Sequence, residues 1–175
     1  QRIIDSPDYG VMFSGTRLDG SAPADSRQAY VRNNTEFEVV GCRGLLKAVG
    51  RNGALTGERF DVIVMDDLYK NAAEGNSPLI RDRVDEWYTS AVKTRLHNHS
   101  QELMVFTRWH EEDLIGRVMQ TDECRELTSL DDIDTAYTGW YVLNYEAIKE
   151  GKPTDLDPRN VGEPLWPEAH DIDHL

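Results

Sequence analysis

Apolar and polar positions change period several times along the chain, and the changes predict alternating strands and helices. Val62-Ile-Val-Met65 is an unbroken apolar run, the pattern of a strand buried on both faces of a parallel sheet, and it stops at two adjacent carboxylates, Asp66 and Asp67. Ser77-Pro78 then has the residues of a helix start, Ser as N-cap and Pro at the first helical position. Leu79, Ile80, Val84, Trp87, Tyr88, Ala91, Val92 and Leu96 recur at helical spacing, which predicts a helix to about His97. Its Trp and Tyr read as core packing rather than a base-stacking platform. Arg81, Arg83, Lys93 and Arg95, interleaved with Asp82, Asp85 and Glu86, read as a solvated face. Glu102-Leu-Met-Val-Phe-Thr107 predicts another short interior strand. Glu111-Glu112-Asp113 brings negative charge to the start of a second helix, with Leu114, Ile115, Val118 and Met119 as its apolar positions. Residues 61 to about 121 therefore read as a βαβα unit, which implies a parallel sheet with right-handed crossovers.

The flanks carry weaker patterns. Asp5-Ser-Pro-Asp-Tyr-Gly10 has turn chemistry, Val11-Met-Phe13 is briefly apolar, and residues 14–29 read as a surface loop. Thr35–Cys42 and Leu45–Val49 predict strands, with Arg51-Asn52-Gly53 suited to a tight turn. Gly41, Gly44, Gly50, Gly53 and Gly57 could wrap a phosphate, but their spacing fits no phosphate loop, and a plain β-hairpin is the preferred reading. Residues 122–139 are acidic and loop-like, Trp140–Tyr145 is a strand candidate, and 149–175 are rich in Pro, Asp and Gly. This predicts a domain over 1–148 and a linker over 149–175.

At 175 residues the chain has room for one domain with a real core. It is 39% apolar, and no run nears the ~18 apolar residues of a membrane span. A formal charge of −13 argues against a surface that coats nucleic acid by bulk electrostatics. Cys42 and Cys124 read as two reduced thiols. His110 begins H-E-x-x, but position 114 is Leu, so the zinc motif is incomplete and a structural His is expected. The start shows neither Met nor a signal-peptide pattern, and the chain is read as entered in mid-sequence.

Asp66 and Asp67 carry the chief candidate chemistry. Acids at the C-terminal end of a central strand lie where open α/β sheets bind ligands. In nucleotide hydrolases one such acid holds Mg²⁺ and a second polarises the attacking water. A core strand running into an Asp-rich turn has the same pattern, and the stretch alone leaves both readings open.

Several spaced motifs narrow the choice. Leu55-Thr-Gly-Glu-Arg-Phe-Asp-Val-Ile-Val-Met-Asp-Asp-Leu-Tyr-Lys-Asn71, then Ser77, Arg81, Val84 and Trp87, Thr94-Arg-Leu96, Thr107-Arg-Trp-His-Glu-Glu-Asp-Leu-Ile-Gly116 and Gly162-Glu-Pro-Leu-Trp-Pro-Glu168 together resemble the large terminase subunit of tailed bacteriophages. The resemblance implies an α/β P-loop NTPase-like parallel sheet flanked by helices, here without its phosphate-loop half. It also implies an ATP-hydrolysing motor that moves viral double-stranded DNA into a capsid, with ATP and Mg²⁺ as cofactors. The implied partners are the capsid portal, a small terminase subunit and further copies in a ring. The implied place is the host cell cytoplasm, at the procapsid and not in a membrane. By position, Asp66 resembles the Mg²⁺-associated acid and Asp67 the catalytic carboxylate, often Glu in related motors. Thr107 resembles the coupling motif that senses the γ-phosphate. Trp109, His110 and Asp113 share its signature. A trans-acting arginine finger would come from among Arg43, Arg51, Arg59 and Arg108.

The phosphate loop is where the pattern departs. No G-x-x-x-x-G-K-[ST] occurs; Gly151-Lys152 is followed by Pro153, with Glu146 where the first Gly belongs. The chain is therefore expected to be an interior piece, with the phosphate loop upstream and a nuclease domain downstream. Alone it is expected to bind ATP weakly or not at all. Two other functions remain on the residues alone: a non-hydrolysing scaffold or binding protein, and a metal-dependent nuclease that would need Asp61, Asp113 or Asp131 to join the acid pair.

Overall fold

A computed structural model of the chain describes residues 3–16, 18, 31–42, 44–51, 53, 55, 57 and 59–169. The fold is mixed α/β, and its strands lie in two-stranded sheets rather than one broad sheet. The chain divides into two compact units, Gln1–Val64 with Val84–Leu103, and Met65–Arg83 with Met104–Leu175. Residues 149–169 carry backbone hydrogen bonds to one another and to residues before them, among them the Leu156 amide to Thr128 O at 3.1 Å.

In the first unit, Asp5–Gly10 forms a helix rather than an isolated turn. Ser6 caps α1 (Pro7–Met12) by accepting from the Tyr9 amide at 3.2 Å, and Pro7 occupies a first-turn position where no N–H is needed. β1 (Glu36–Glu38) and β2 (Leu45–Lys47) pair antiparallel, with Phe37 opposite Leu46. The predicted hairpin is thus present, but the chain reverses over 39–44 and not at Arg51–Gly53. The loop predicted over 14–29 lies almost wholly outside the described residues. Leu18, Leu55, Val84, Tyr88 and Val92 are the buried apolar side chains of this unit.

β3 (Val62–Asp66), α3 (Pro78–Trp87) and β4 (Gln101–Val105) follow the predicted order. Beyond Trp87 the helical path continues as a π turn over Tyr88–Val92 and a 3₁₀ turn over Lys93–Arg95. At the start of the strands the Gln101 amide donates to Asp61 O at 2.8 Å, and at their ends the Asp67 amide donates to Val105 O at 3.1 Å. Starts pair with starts and ends with ends, so β3 and β4 run parallel. The expectation of burial on both faces fails. Val62 and Val64 are more than half exposed, and β4 alternates between exposed and half-buried positions. A pair of strands with only one covered face produces that alternation, whatever its sequence.

In the second unit, α2 (Ala72–Gly75) is capped by Asn71, whose side chain accepts from the Glu74 amide at 3.0 Å. α4 (Leu114–Thr121) starts where the acidic run predicts, with buried Leu114 and Val118. The stretch 122–139, expected to be loop, contributes β5 (Cys124–Glu126), which pairs parallel with β6 (Trp140–Val142). Three alternating residues are too few for a period-two signal. Met65, Leu68 and Tyr69 complete the buried apolar set.

The segment after β6 closes on itself. The Lys149 amide donates to Glu163 O at 2.9 Å, and the Leu165 amide to Ala147 O at 2.8 Å. A buried ion cluster stands in for the apolar core that composition lacks there. Asp157 accepts from Arg159 through both oxygens at 2.8 Å and from Lys149 Nζ at 3.0 Å. The Arg159 guanidinium, with Lys149 beside it, holds the Asp157 carboxyl far below the usual carboxylate range. Its bidentate geometry fixes the planar fork in place.

Candidate functional site

Asp66 is the last residue of β3 and Asp67 the first beyond it. Both side chains are exposed, and no described side chain bonds either carboxylate. Asp67 has φ 47°, the left-handed region, and is the one non-glycine described residue with positive φ. Asp tolerates that region better than most residues, and the turn carries its backbone amide onto Val105 O. β3 and β4 run parallel, so the loop after the acid pair and the loop after β4 leave the same end of the strands. Thr107, exposed, stands two residues beyond β4. The structure thus brings the loops of Asp66, Asp67 and Thr107 to one strand end, as a site built on them requires.

Arg108 is held within its own chain. Its Nε donates to Asp113 Oδ2 at 2.8 Å, while Asp113 Oδ1 accepts from the Gly116 amide at 2.9 Å. Asp113 is fully buried and serves as N-cap of α4, so one carboxylate ties the loop, the arginine and the helix start together. Gly116 is required there, because a Cβ would run into the Glu111 carbonyl and come within 2.7 Å of Arg108 Nη2. His110 Nδ1 accepts from the Glu112 amide at 3.0 Å, the structural role expected of it. Of the other arginines proposed as fingers, Arg59 is exposed, Arg51 is half-buried, and Arg43 lies outside the described residues.

Two residues to which the sequence assigned no role in the site link the stretches that follow the acid pair and Thr107. Tyr69, buried three residues beyond Asp66, accepts from the Leu114 amide at 3.0 Å and meets the Phe106 ring edge-on at 5.9 Å between centroids. Arg81, expected on a solvated face, is 4% exposed. The spacing did hold a signal for it: Arg81, Val84 and Tyr88 stand at i, i+3 and i+7 on one helical stripe, and the other two are buried. Gly75 lies against Trp109, so closely that a Cβ would sit 3.0 Å from Trp109 Cγ.

The acid pair suits a hydrated Mg²⁺, since Asp66 and Asp67 offer hard oxygen ligands that no described side chain engages. No G-x-x-x-x-G-K-[ST] phosphate loop occurs in the sequence to accompany them. The third acids that a nuclease would need are engaged elsewhere: Asp61 pairs with His97 Nε2 at 2.9 Å, Asp113 caps α4, and Asp131 belongs to the 3₁₀ turn Leu130–Asp132. Among the described residues no group of three or more His, Cys, Asp or Glu gathers as a metal site. No described helix is long and apolar enough to cross a membrane. Compared with protein-family models, curated proteins and solved structures, the chain matches none.

Proposed function

We propose that this chain is part of the ATP-hydrolysing motor of a large terminase subunit, the machine that drives double-stranded viral DNA into a capsid. The observation that carries the reading is the shared strand end. An acid pair and a threonine loop leave two parallel strands on the same side, and the Asp67 amide binds the last residue of the neighbouring strand at 3.1 Å. In this reading the fold is the acidic-strand half of a P-loop NTPase sheet. Asp66 would hold Mg²⁺, which would neutralise phosphate charge, Asp67 would orient and deprotonate the attacking water, and Thr107 would offer its hydroxyl to the γ-phosphate. ATP bound with Mg²⁺ supplies the phosphoryl group whose transfer to water drives the motor. DNA, the portal, a small subunit and a ring of copies enter as partners through the resemblance alone.

The test uses the polypeptide as its source makes it. Its mass, read by blotting, should lie far above the 19.9 kDa of this chain, and its Mg²⁺-dependent ATPase should fall by ~100-fold or more in Asp66→Asn and in Asp67→Asn, the scale of a lost catalytic group. A native species of 19.9 kDa without ATPase would replace the motor by a non-hydrolysing binding protein.

A further inference from the structure

Arg81 is a buried cation that reaches both loops of the candidate site. From the first turns of α3 its Nη1 donates to Gly75 O at 2.9 Å, in the stretch that follows the acid pair. Its Nη2 donates to Glu112 Oε2 at 3.1 Å, in the stretch that follows Thr107. The third guanidinium nitrogen, Nε, is buried with no hydrogen-bond partner. Burying a guanidinium is costly, and a half-exposed carboxylate is a poor recompense when an apolar side chain in the same place would cost nothing of the kind. A stability role therefore explains Arg81 badly. A planar fork that spans two acceptors on separate loops is what the residue adds. Tyr69 on the Leu114 amide and Gly75 under Trp109 join the same two loops, so the fork closes an already connected structure.

We infer that Arg81 is a positioning residue: its bridge from Gly75 to Glu112 makes the Asp66–Asn76 loop and the Phe106–Asp113 loop move as one body, so that a ligand held at the acid pair is felt at Thr107. As a statement about catalysis this rests on the motor reading; as a statement about the two loops it stands without it.

Hydrogen–deuterium exchange on the 175-residue chain tests it, in wild type, Glu112→Ala, which removes the acceptor, and Arg81→Lys. Without added ions both variants should speed exchange in 67–76 and 106–114 together, by about fivefold or more as a local opening, and leave 145–165 unchanged. Lys keeps the charge but is a point donor that cannot span the two acceptors. Wild-type protection in Arg81→Lys, or acceleration confined to one loop, overturns the bridge. Glu112 is half-exposed, so Glu112→Ala decides the matter even where Arg81→Lys fails to fold. Mg²⁺ alone is then titrated. Protection of 66–70 that extends to 106–114 in wild type but not in Glu112→Ala supports the coupling, and equal extension in both overturns it. Protection of neither loop in wild type sinks the metal reading, while the ion-free comparison still decides the coupling.

Discussion

Replacing Arg108 by alanine separates an arginine that serves its own loop from one that waits for a neighbouring subunit. In the structure Arg108 Nε donates to Asp113 Oδ2 at 2.8 Å, and the Asp113 carboxylate is completely removed from solvent. Deleting one partner of a buried pair costs about 3–5 kcal/mol, because the remaining charge stays buried and uncompensated. The Arg108 side chain is 38% exposed, so water can reach part of the vacated space. Discounted below that range for solvent screening, Arg108→Ala should cost about 2–3 kcal/mol. Asp113→Ser is the informative counterpart. Serine keeps an acceptor for the Gly116 amide and frees Arg108 to solvent, so only a charge-assisted hydrogen bond is lost, about 1–2 kcal/mol. With the carboxylate already gone, Arg108→Ala should cost almost nothing further, leaving a coupling of about 2 kcal/mol in the double-mutant cycle. Urea unfolding followed by far-UV circular dichroism, at unchanged m, measures all four proteins. An Arg108→Ala effect within about 0.5 kcal/mol of zero, additive with Asp113→Ser, would refute the reasoning and return Arg108 to the set of free surface arginines from which a finger is drawn.

Two further outcomes follow from the same geometry. Because Asp67 sits at φ 47°, Asp67→Gly should be more stable than Asp67→Ala by about 0.5–1 kcal/mol, the left-handed penalty of a Cβ less the entropy glycine loses on folding; alanine equal to or above glycine in urea melts would remove the strain. The Asp157 carboxyl is held below the usual range by Arg159 and Lys149, so the unfolded chain takes up that proton first and the cluster stabilises at neutral pH. The stability gap between wild type and Asp157→Asn should therefore stay level from pH 8 to pH 5 and close as pH falls below about 4, the unfolded carboxyl's range; a gap that widens in acid would contradict the cluster.

The order of strand and helix from 61 to 121 was legible because apolar spacing dictates it directly. β3, α3, β4 and α4 all stand where the period changes, and Ser77-Pro78 and the acidic run before Leu114 mark the helix starts. Asp66, Asp67 and Thr107 were legible as candidates for the same reason: each falls at the end of an apolar run, where a strand must stop. Shorter elements were not. β5 is three residues, and α1 begins with Ser-Pro chemistry that serves turns and helices alike.

What spacing could not decide was which surface each side chain meets. Val62-Ile-Val-Met65 has the composition of a doubly covered strand, yet in a two-stranded sheet Val62 and Val64 face outward. Arg81 has the composition of a solvated helix face, yet it is buried between two loops that lie six residues before it and 31 after it. Arg159 and Lys149 meet Asp157 in a segment rich in Pro, Asp and Gly, where no periodicity marks the contact. The sequence by itself determined the period of each segment, because period is set by backbone geometry within a few residues. The tertiary structure alone decided burial and pairing, because the groups that surround a charged side chain are set by how separate segments pack and not by its local period.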